Sequence, residues 1–456
     1  DNNNIAAFDW EGNLLWAHRA RADFEGAPTL LNINNDIVLD VVAASEDGGL
    51  FGFDGKTGAV IWSFIPALTP ELTYPRNRGF MGSASTIDVN NDGYKDVLIG
   101  NRNGLFYVFN GTNGQILWKH RTTEPSGILS SPLVKNNNIF YVESYGYLHK
   151  LTIKGRSLGK IPLSPQDYPQ FVAMPMVNKL NTTVIGTTFY EQENGFWRLA
   201  QYTKDNFDKL GKISSSAILA NVDNQAGQEF IFITESGWLI IIGEKGQIKG
   251  KFKLLVGGEA TPLVADVDGD SYLELVIALN DQHLYCYDLQ SKGPVAWGQF
   301  RANPYNTGVQ NDLLDEDIES TNISYKQNLF KKNSKVISFR YNNWFSEKVN
   351  PFLIVMIFNH EGYSKPLFNE VKESKLKKLP LKWKTRVGIT TYRTTLQYAN
   401  GLIFTPSNGK SSKSLKDNLD GVHLVNGRTG QIQQTFQIGS NGDRDVNGVA
   451  VSASKI

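Results

Sequence analysis

A single cysteine, Cys286, is all the chain has, so no intrachain disulfide can form. Stability has to come from packing, hydrogen bonds or a bound ion. One cysteine suits an exported bacterial protein as well as a cytosolic one. Long hydrophobic runs are also missing. The longest aliphatic and aromatic stretch is Phe352 to Phe358, far short of the ~20 residues a membrane-spanning helix needs. Charge of one sign is missing too: 46 Lys and Arg against 45 Asp and Glu leave a net +1. Such a balance excludes a strong field toward nucleic acid or anionic lipid. The histidines His18, His120, His149, His283, His360 and His423 show no close metal spacing, and there is no His-Glu-x-x-His and no cysteine pair, so zinc has no support. No Gly-x-Ser-x-Gly elbow and no phosphate-binding Walker loop stand out. No catalytic residue is assigned. A carboxylate pair gathered from distant parts of the chain is the arrangement left open.

What is present is repetition. With 456 residues, 41% of them hydrophobic, there is ample material for a core. Asn, Gly, Tyr, Phe and Trp are frequent, which suits an all-β protein with many polar turns. Four segments align: Asn32 to Asp40, Asp88 to Asp96, Asn221 to Glu229 and Asp266 to Glu274. Each sets oxygen-bearing side chains at positions 1, 3, 5 and 9, and an apolar strand follows at once. A second pattern comes about ten residues later, as in Gly49-Leu-Phe-Gly-Phe-Asp54 leading to Thr57-Gly58 and Trp62, and Gly104 to Asn110 leading to Asn113-Gly114 and Trp118. A third copy runs from Gly421 to Thr429-Gly430, with Gln434 where the Trp would stand. Looser copies surround Tyr285 to Asp288, ending at Trp297, and Gly237 to Ile242. The Gly-led strand alternates faces, the Asx with Thr-Gly makes a tight turn, and the next strand carries the Trp. A four-stranded antiparallel sheet of roughly 40 residues is the unit, and copies of it around an axis form a propeller.

The Gly-x-Tyr/Phe-x-Phe-Asp, Thr-Gly and Trp units resemble quinoprotein-like (PQQ-like) propeller repeats, and the Asp-x-Asx-x-Asp-Gly units resemble FG-GAP repeats with their calcium loops. The segment Trp297-Gly-Gln-Phe-Arg-Ala-Asn-Pro-Tyr-Asn-Thr-Gly308 is similar to one found bordering such propellers. The resemblance covers about 1–310 and 383–456 and implies the fold. It says little about function, because propellers host many activities.

Units begin near residues 24, 78, 126, 170, 216 and 258, with a seventh at about 392–440. An eighth is split: Gly448 to Ser454 reads as a strand, and Ile5 to Trp16 reads as two outer strands of the same blade. If these pair, the chain ends close the ring. The expected fold is therefore an all-β propeller of eight four-stranded blades, with seven the alternative. Residues 1–310 hold propeller blades and 383–456 the final ones. Residues 311–382 do not repeat. They run from acidic (Asp312 to Glu319) to basic (Lys372 to Lys382) and read as an insertion or linker with one or two buried strands, or as a docking element. Trp16, Trp62, Trp118 and Trp297 are expected at one blade position, packed between neighbours.

The loops carry the local chemistry. Calcium takes six to eight hard oxygens, which alternate positions of a tight loop can supply. In the second loop Asp88, Asn90, Asp92 and Asp96 would offer side chains and Tyr94 its carbonyl; in the fourth, Asp266, Asp268, Asp270 and Glu274 would do so, with the Tyr272 carbonyl. The competing reading is an Asx-rich turn bonded to its own backbone. The first and third loops have two carboxylates each and bind less well. Any ion would stiffen a loop; no catalytic role follows. Sequons at Asn110, Asn181 and Asn322 matter only in a glycosylating source. The chain begins at Asp1 without methionine, and removal of an export signal is the expectation.

The functional expectation is a non-enzymatic propeller outside the cytoplasm, in the periplasm, at the cell surface or secreted. It would act as a scaffold binding a protein of the cell envelope, with a glycan as the second partner class and with structural calcium. Alternatives are a quinoprotein dehydrogenase and a calcium-dependent polysaccharide lyase. Against the first stands the single cysteine, since many such enzymes carry an adjacent-cysteine disulfide. The lyase reading rests on the loops alone.

Overall fold

The architecture is that of a computed structural model. It describes residues 3–67, 78–122, 126–162 except 145, 215–243, 248–310, 379–391, 396–410, 419–437 and 446–452 except 447. It also describes the strands between 175 and 199 and at 353–357. The Asn181 and Asn322 sequons and most of 311–382 lie outside these residues.

Each apolar run after an Asx loop becomes a strand buried on both faces: Asp40–Ala44, Asp96–Gly100, Glu229–Ile233 and Glu274–Leu279. A strand buried on both sides must sit between other sheets. On the loop's other side stands a three-residue strand, such as Thr29–Leu31 or Ser85–Ile87. The Gly-led strand pairs on the far side, and the Trp-bearing strand forms the outer edge, as in Thr29–Leu31, Asp40–Ala44, Leu50–Phe53 and Val60–Phe64.

The described strands assemble into eight sheets. In chain order, sheet 1 spans residues 29–64, sheet 2 85–121, sheet 3 133–162, sheet 4 176–199, sheet 5 218–253, sheet 6 263–288 with 381–386, and sheet 7 397–436. Sheet 8 is composite: Leu14–Arg19, Asn4–Phe8, Leu353–Ile357 and Gly448–Ser452, from outside in. The short inner strands touch one another from sheet 8 through sheets 1, 2 and 3, and from sheet 5 through 6 and 7 back to 8. The chain is an all-β propeller. Cores fill the seams between sheets; Leu31, Val42 and Leu50 of sheet 1, for example, pack with Val97, Leu105 and Phe109 of sheet 2.

One interaction recurs at these seams. The indole Nε1 of Trp16, Trp62, Trp118 and Trp383 donates to the carbonyls of Gly55, Gly111, Ile153 and Gly427 in the following sheet, at 2.7–3.1 Å. The indole lies over a turn glycine in the left-handed region. At Gly114 (φ +70°) an added Cβ would stand 2.7 Å from the Trp62 ring, so both conformation and space demand glycine. The fourth member is Trp383. Trp297 does not hold this position, which corrects the expectation: it lies in Val295–Trp297, bonded to the inner strand of sheet 5. The outer strand of sheet 6 arrives only after the insertion, so spacing from Tyr285 pointed to the wrong tryptophan. Gln434 does occupy the Trp position of sheet 7, and its Nε2 donates to the Glu11 carbonyl of sheet 8 at 2.7 Å.

The closing sheet holds a second correction. The N- and C-terminal strands share a sheet but do not pair with each other. Leu353–Ile357 stands between them, antiparallel to both, with Val355 opposite Ala7 on one side and Ala450 on the other. A four-stranded sheet needs a second strand that neither chain end supplies, and the non-repeating region provides it.

Candidate functional site

The Asx loops sit between the innermost strand and its neighbour, on the side of the ring that also carries the Thr-Gly turns. Position 9 has the same task in all four. Its carboxylate is buried and accepts the N–H of position 2: Ile33 to Asp40, Val89 to Asp96, Val222 to Glu229 and Val267 to Glu274, at 2.7–2.9 Å. Asp96 also accepts from Asn90 and Gly111. Burial nevertheless pushes its carboxyl above the usual aspartate value.

The two favoured loops differ. In the second, Asp88 accepts from the N–H groups of Asn91, Asp92 and Gly93, and Asp92 accepts from Tyr94 at 2.9 Å. The Tyr94 bond holds Asp92 below the ordinary aspartate value. Asn90 and Asn110 donate to the other Asp92 oxygen at 2.8 and 3.0 Å. In the fourth loop Asp266 and Asp270 make the corresponding backbone bonds, including Asp270 to the Tyr272 N–H at 2.8 Å. The carboxylates of Asp266, Asp268 and Glu274 each bring an oxygen within 4.8 Å of the others. Lys382 enters this group, its Nζ 2.6 Å from Asp268, 2.9 Å from Glu274 and 3.4 Å from Asp270. Desolvation pulls its ammonium down, but the Asp268 and Glu274 hydrogen bonds more than reverse this and leave it above the ordinary lysine value. The third loop has the same arrangement, with Lys249 at 2.8 Å from Asp223 and 2.6 Å from Glu229. Sequence reasoning missed both lysines. The signal was the recurrence of lysine in the outer strands, Ile248-Lys-Gly-Lys-Phe-Lys253 and Leu381-Lys-Trp-Lys-Thr-Arg386, where Lys249 and Lys382 stand at the bulges.

The axis is occupied by the chain itself. Innermost strands are sheet edges, and their axis-facing N–H groups need acceptors. Residues 294–310 supply them in one lap. The Asn221 N–H of sheet 5 is bonded by the Pro294 carbonyl, Val264 of sheet 6 by Gly298, and Tyr398 of sheet 7 by the Gln299 side chain. Val451 of sheet 8 is bonded by Pro304, Leu30 of sheet 1 by Tyr305, Thr86 of sheet 2 by Thr307, and Val134 of sheet 3 by Gly308. The order of contacts is the order of the ring. Asn306 donates to Pro28 and Val449 at 2.8 and 2.9 Å and accepts from Gln397 at 2.6 Å. Arg301, fully buried, donates to the Pro132 carbonyl, Ser85 Oγ and the Ala84 carbonyl. Burial lowers its guanidinium to about 9, so it stays charged at neutral pH. The segment resembling a propeller border is thus the propeller's centre.

The rim is apolar at regular intervals. Leu14 and Leu15, Val60 and Ile61, Ile116 and Leu117, and Leu158 are exposed at or near the starts of the outer strands of sheets 8, 1, 2 and 3. No helix among the described residues is long and apolar enough to cross a membrane.

Antiparallel sheets ringed around a filled axis and joined by tryptophans on turn glycines define a β-propeller. Residues 1–153 match the family model PQQ_2, described as outer membrane protein assembly factor BamB. The crystal structure of BamB from Moraxella catarrhalis aligns at TM-score 0.36 and 13% identity, over 89% of this chain and 88% of that one. Structures of BBS1N in complex with ARL6DN, soaked with lead and with mercury, align at TM-scores 0.38 and 0.39 and 12% and 13% identity, each over 60% of this chain and 81% of theirs. No curated protein sequence matches the chain.

Proposed function

We propose that this chain is a protein-binding scaffold of the cell envelope, an eight-bladed propeller acting outside the cytoplasm without chemistry of its own. The observation that carries the reading is the filled axis. A propeller gathers side chains from all its blades at the centre, and here residues 294–310 consume that space, which leaves faces and rim for partners. The match of residues 1–153 to an assembly-factor family supports it. The partner expected is an envelope protein meeting the apolar rim of sheets 8, 1, 2 and 3. Photo-crosslinkers at Leu14, Ile61 and Leu117, compared with sites on the Thr-Gly turn face, test this in the native envelope. Crosslinks to one stoichiometric partner from the rim are expected. Dye-linked oxidation of alcohols or sugars with added quinone and calcium, or release of unsaturated products from acidic polysaccharide, would replace the scaffold by an enzyme.

Calcium belongs to this proposal as a structural ion. The second loop is the better candidate. Asp88, Asp92 and Asp96 carry three negative charges with Asn90 beside them, and no ammonium or guanidinium among the described residues forms an ion pair with them. The fourth loop has convergent oxygens, but Lys382 already supplies a cation there, and calcium would have to displace it.

A further inference from the structure

We infer that residues 294–310 form an internal hoop that holds the ring closed, so that the inner strands of non-neighbouring sheets open together and not one by one. Four pairs of neighbouring sheets are joined by Trp-to-turn seams, each of which links a sheet only to the next. The hoop differs in kind, because a single covalent segment supplies acceptors to seven of the eight sheets. It caps the middle residue of several three-residue inner strands: Leu30 of Thr29–Leu31, Thr86 of Ser85–Ile87, Val134 of Leu133–Lys135 and Val264 of Leu263–Ala265. At its ends the hoop joins two sheets as an extra strand, with Trp297 opposite Leu219 and Val309 opposite Val134. Between them it turns through positive φ at three non-glycine residues, Arg301 (61°), Ala302 (73°) and Asn306 (58°). Such backbone persists only where its surroundings over-determine it. Arg301 and Asn306 do this by clasping each other (Arg301 Nε to the Asn306 carbonyl, 3.4 Å) while each reaches a different arc of the ring, Arg301 sheets 2 and 3, Asn306 sheets 7, 8 and 1. Releasing the hoop at one point therefore removes the closing contacts of the others.

The test is amide hydrogen exchange on the full chain, read at Leu30, Thr86, Val134, Val264 and Val451. Asn306→Ala removes contacts to sheets 7, 8 and 1 only. A hoop predicts that Val134 and Val264, which Asn306 does not touch, also exchange about tenfold faster or more, since one lost buried hydrogen bond is worth about that factor. The Phe109–Ile116 and Val422–Phe436 ladders of the outer strands should keep their protection. Acceleration confined to Leu30 and Val451 would overturn the inference. Should Asn306→Ala not fold, the unmodified chain decides. In a denaturant series its five amides should converge on one opening isotherm, and five separate isotherms would overturn the hoop.

Discussion

Lys382→Ala separates the ammonium from the ion it would compete with. The Lys382 side chain is 23% exposed, and its Nζ bonds Asp268 (side chain 10% exposed) and Glu274 (side chain fully buried). After substitution the only other donor to the Glu274 carboxylate among the described residues is the Val267 N–H at 2.9 Å. Removing one partner of a buried pair costs about 3–5 kcal/mol, and the partial solvent access of Lys382 sets the lower end, about 3 kcal/mol. Calcium can return part of this. At an affinity of order 10⁻⁴ to 10⁻³ M, typical of extracellular modules, ~10 mM calcium is roughly 10–100 times the dissociation constant, worth about 1.4–2.7 kcal/mol. The assay is the urea midpoint of wild type and variant with and without calcium, at constant slope. The variant should lose most in chelator and recover from about half to about nine-tenths of it in calcium, while the wild type gains less. A loss below about 1 kcal/mol would show that the ammonium is not seated among these oxygens. A loss equal in both conditions would remove calcium from the fourth loop. The pH sign follows from the raised Lys382 pKa: its contribution is complete below the ordinary lysine value and is lost as pH climbs through the folded one, so the variant should be flatter in alkali.

In the second loop, Asp88→Asn with Asp92→Asn should abolish calcium-dependent stabilisation as read by the thermal midpoint, and an unchanged calcium response would assign the ion elsewhere. Trp62→Ala should destabilise by about 3–5 kcal/mol in denaturant melts, the range for a large buried aromatic, and Gly114→Ala should weaken the same seam from its other side. His18 lies 4.8 Å from the Phe53 ring and 5.6 Å from the Phe51 ring, and burial lowers its pKa. The folded state therefore resists its protonation, and stability present above the ordinary histidine value falls as pH drops through the folded one. His18→Phe should flatten that acid loss in midpoint-versus-pH scans.

Much of the ring was legible because its signals are local. A glycine before an alternating strand, an Asx-x-Thr-Gly turn and a tryptophan at fixed spacing all act within a blade or on the next one. Gln434 in a tryptophan's place could be read from spacing alone, and its bond to Glu11 keeps the same geometry. What escaped is non-local. Trp297 fits the spacing pattern, yet its partner is Leu219, and only the fold brings the two together. Lys249 and Lys382 lie 20 and 108 residues from the glutamates they neutralise. Pro294 to Gln310 shows no hydrophobic period because its backbone and polar groups bond to the inner strands of seven sheets in turn.

The composite sheet bears on how the chain is made. Ile5 to Phe8 leave the ribosome well before their neighbour Leu353–Ile357 and its neighbour Gly448–Ser452. At ~5–20 residues per second that is a wait of some tens of seconds. Throughout it an apolar strand, buried in the finished molecule, has one open side. A chaperone that shields this first hairpin during synthesis, or a permuted chain that brings its three contributors together in sequence, would therefore raise the yield of native protein without altering its final stability.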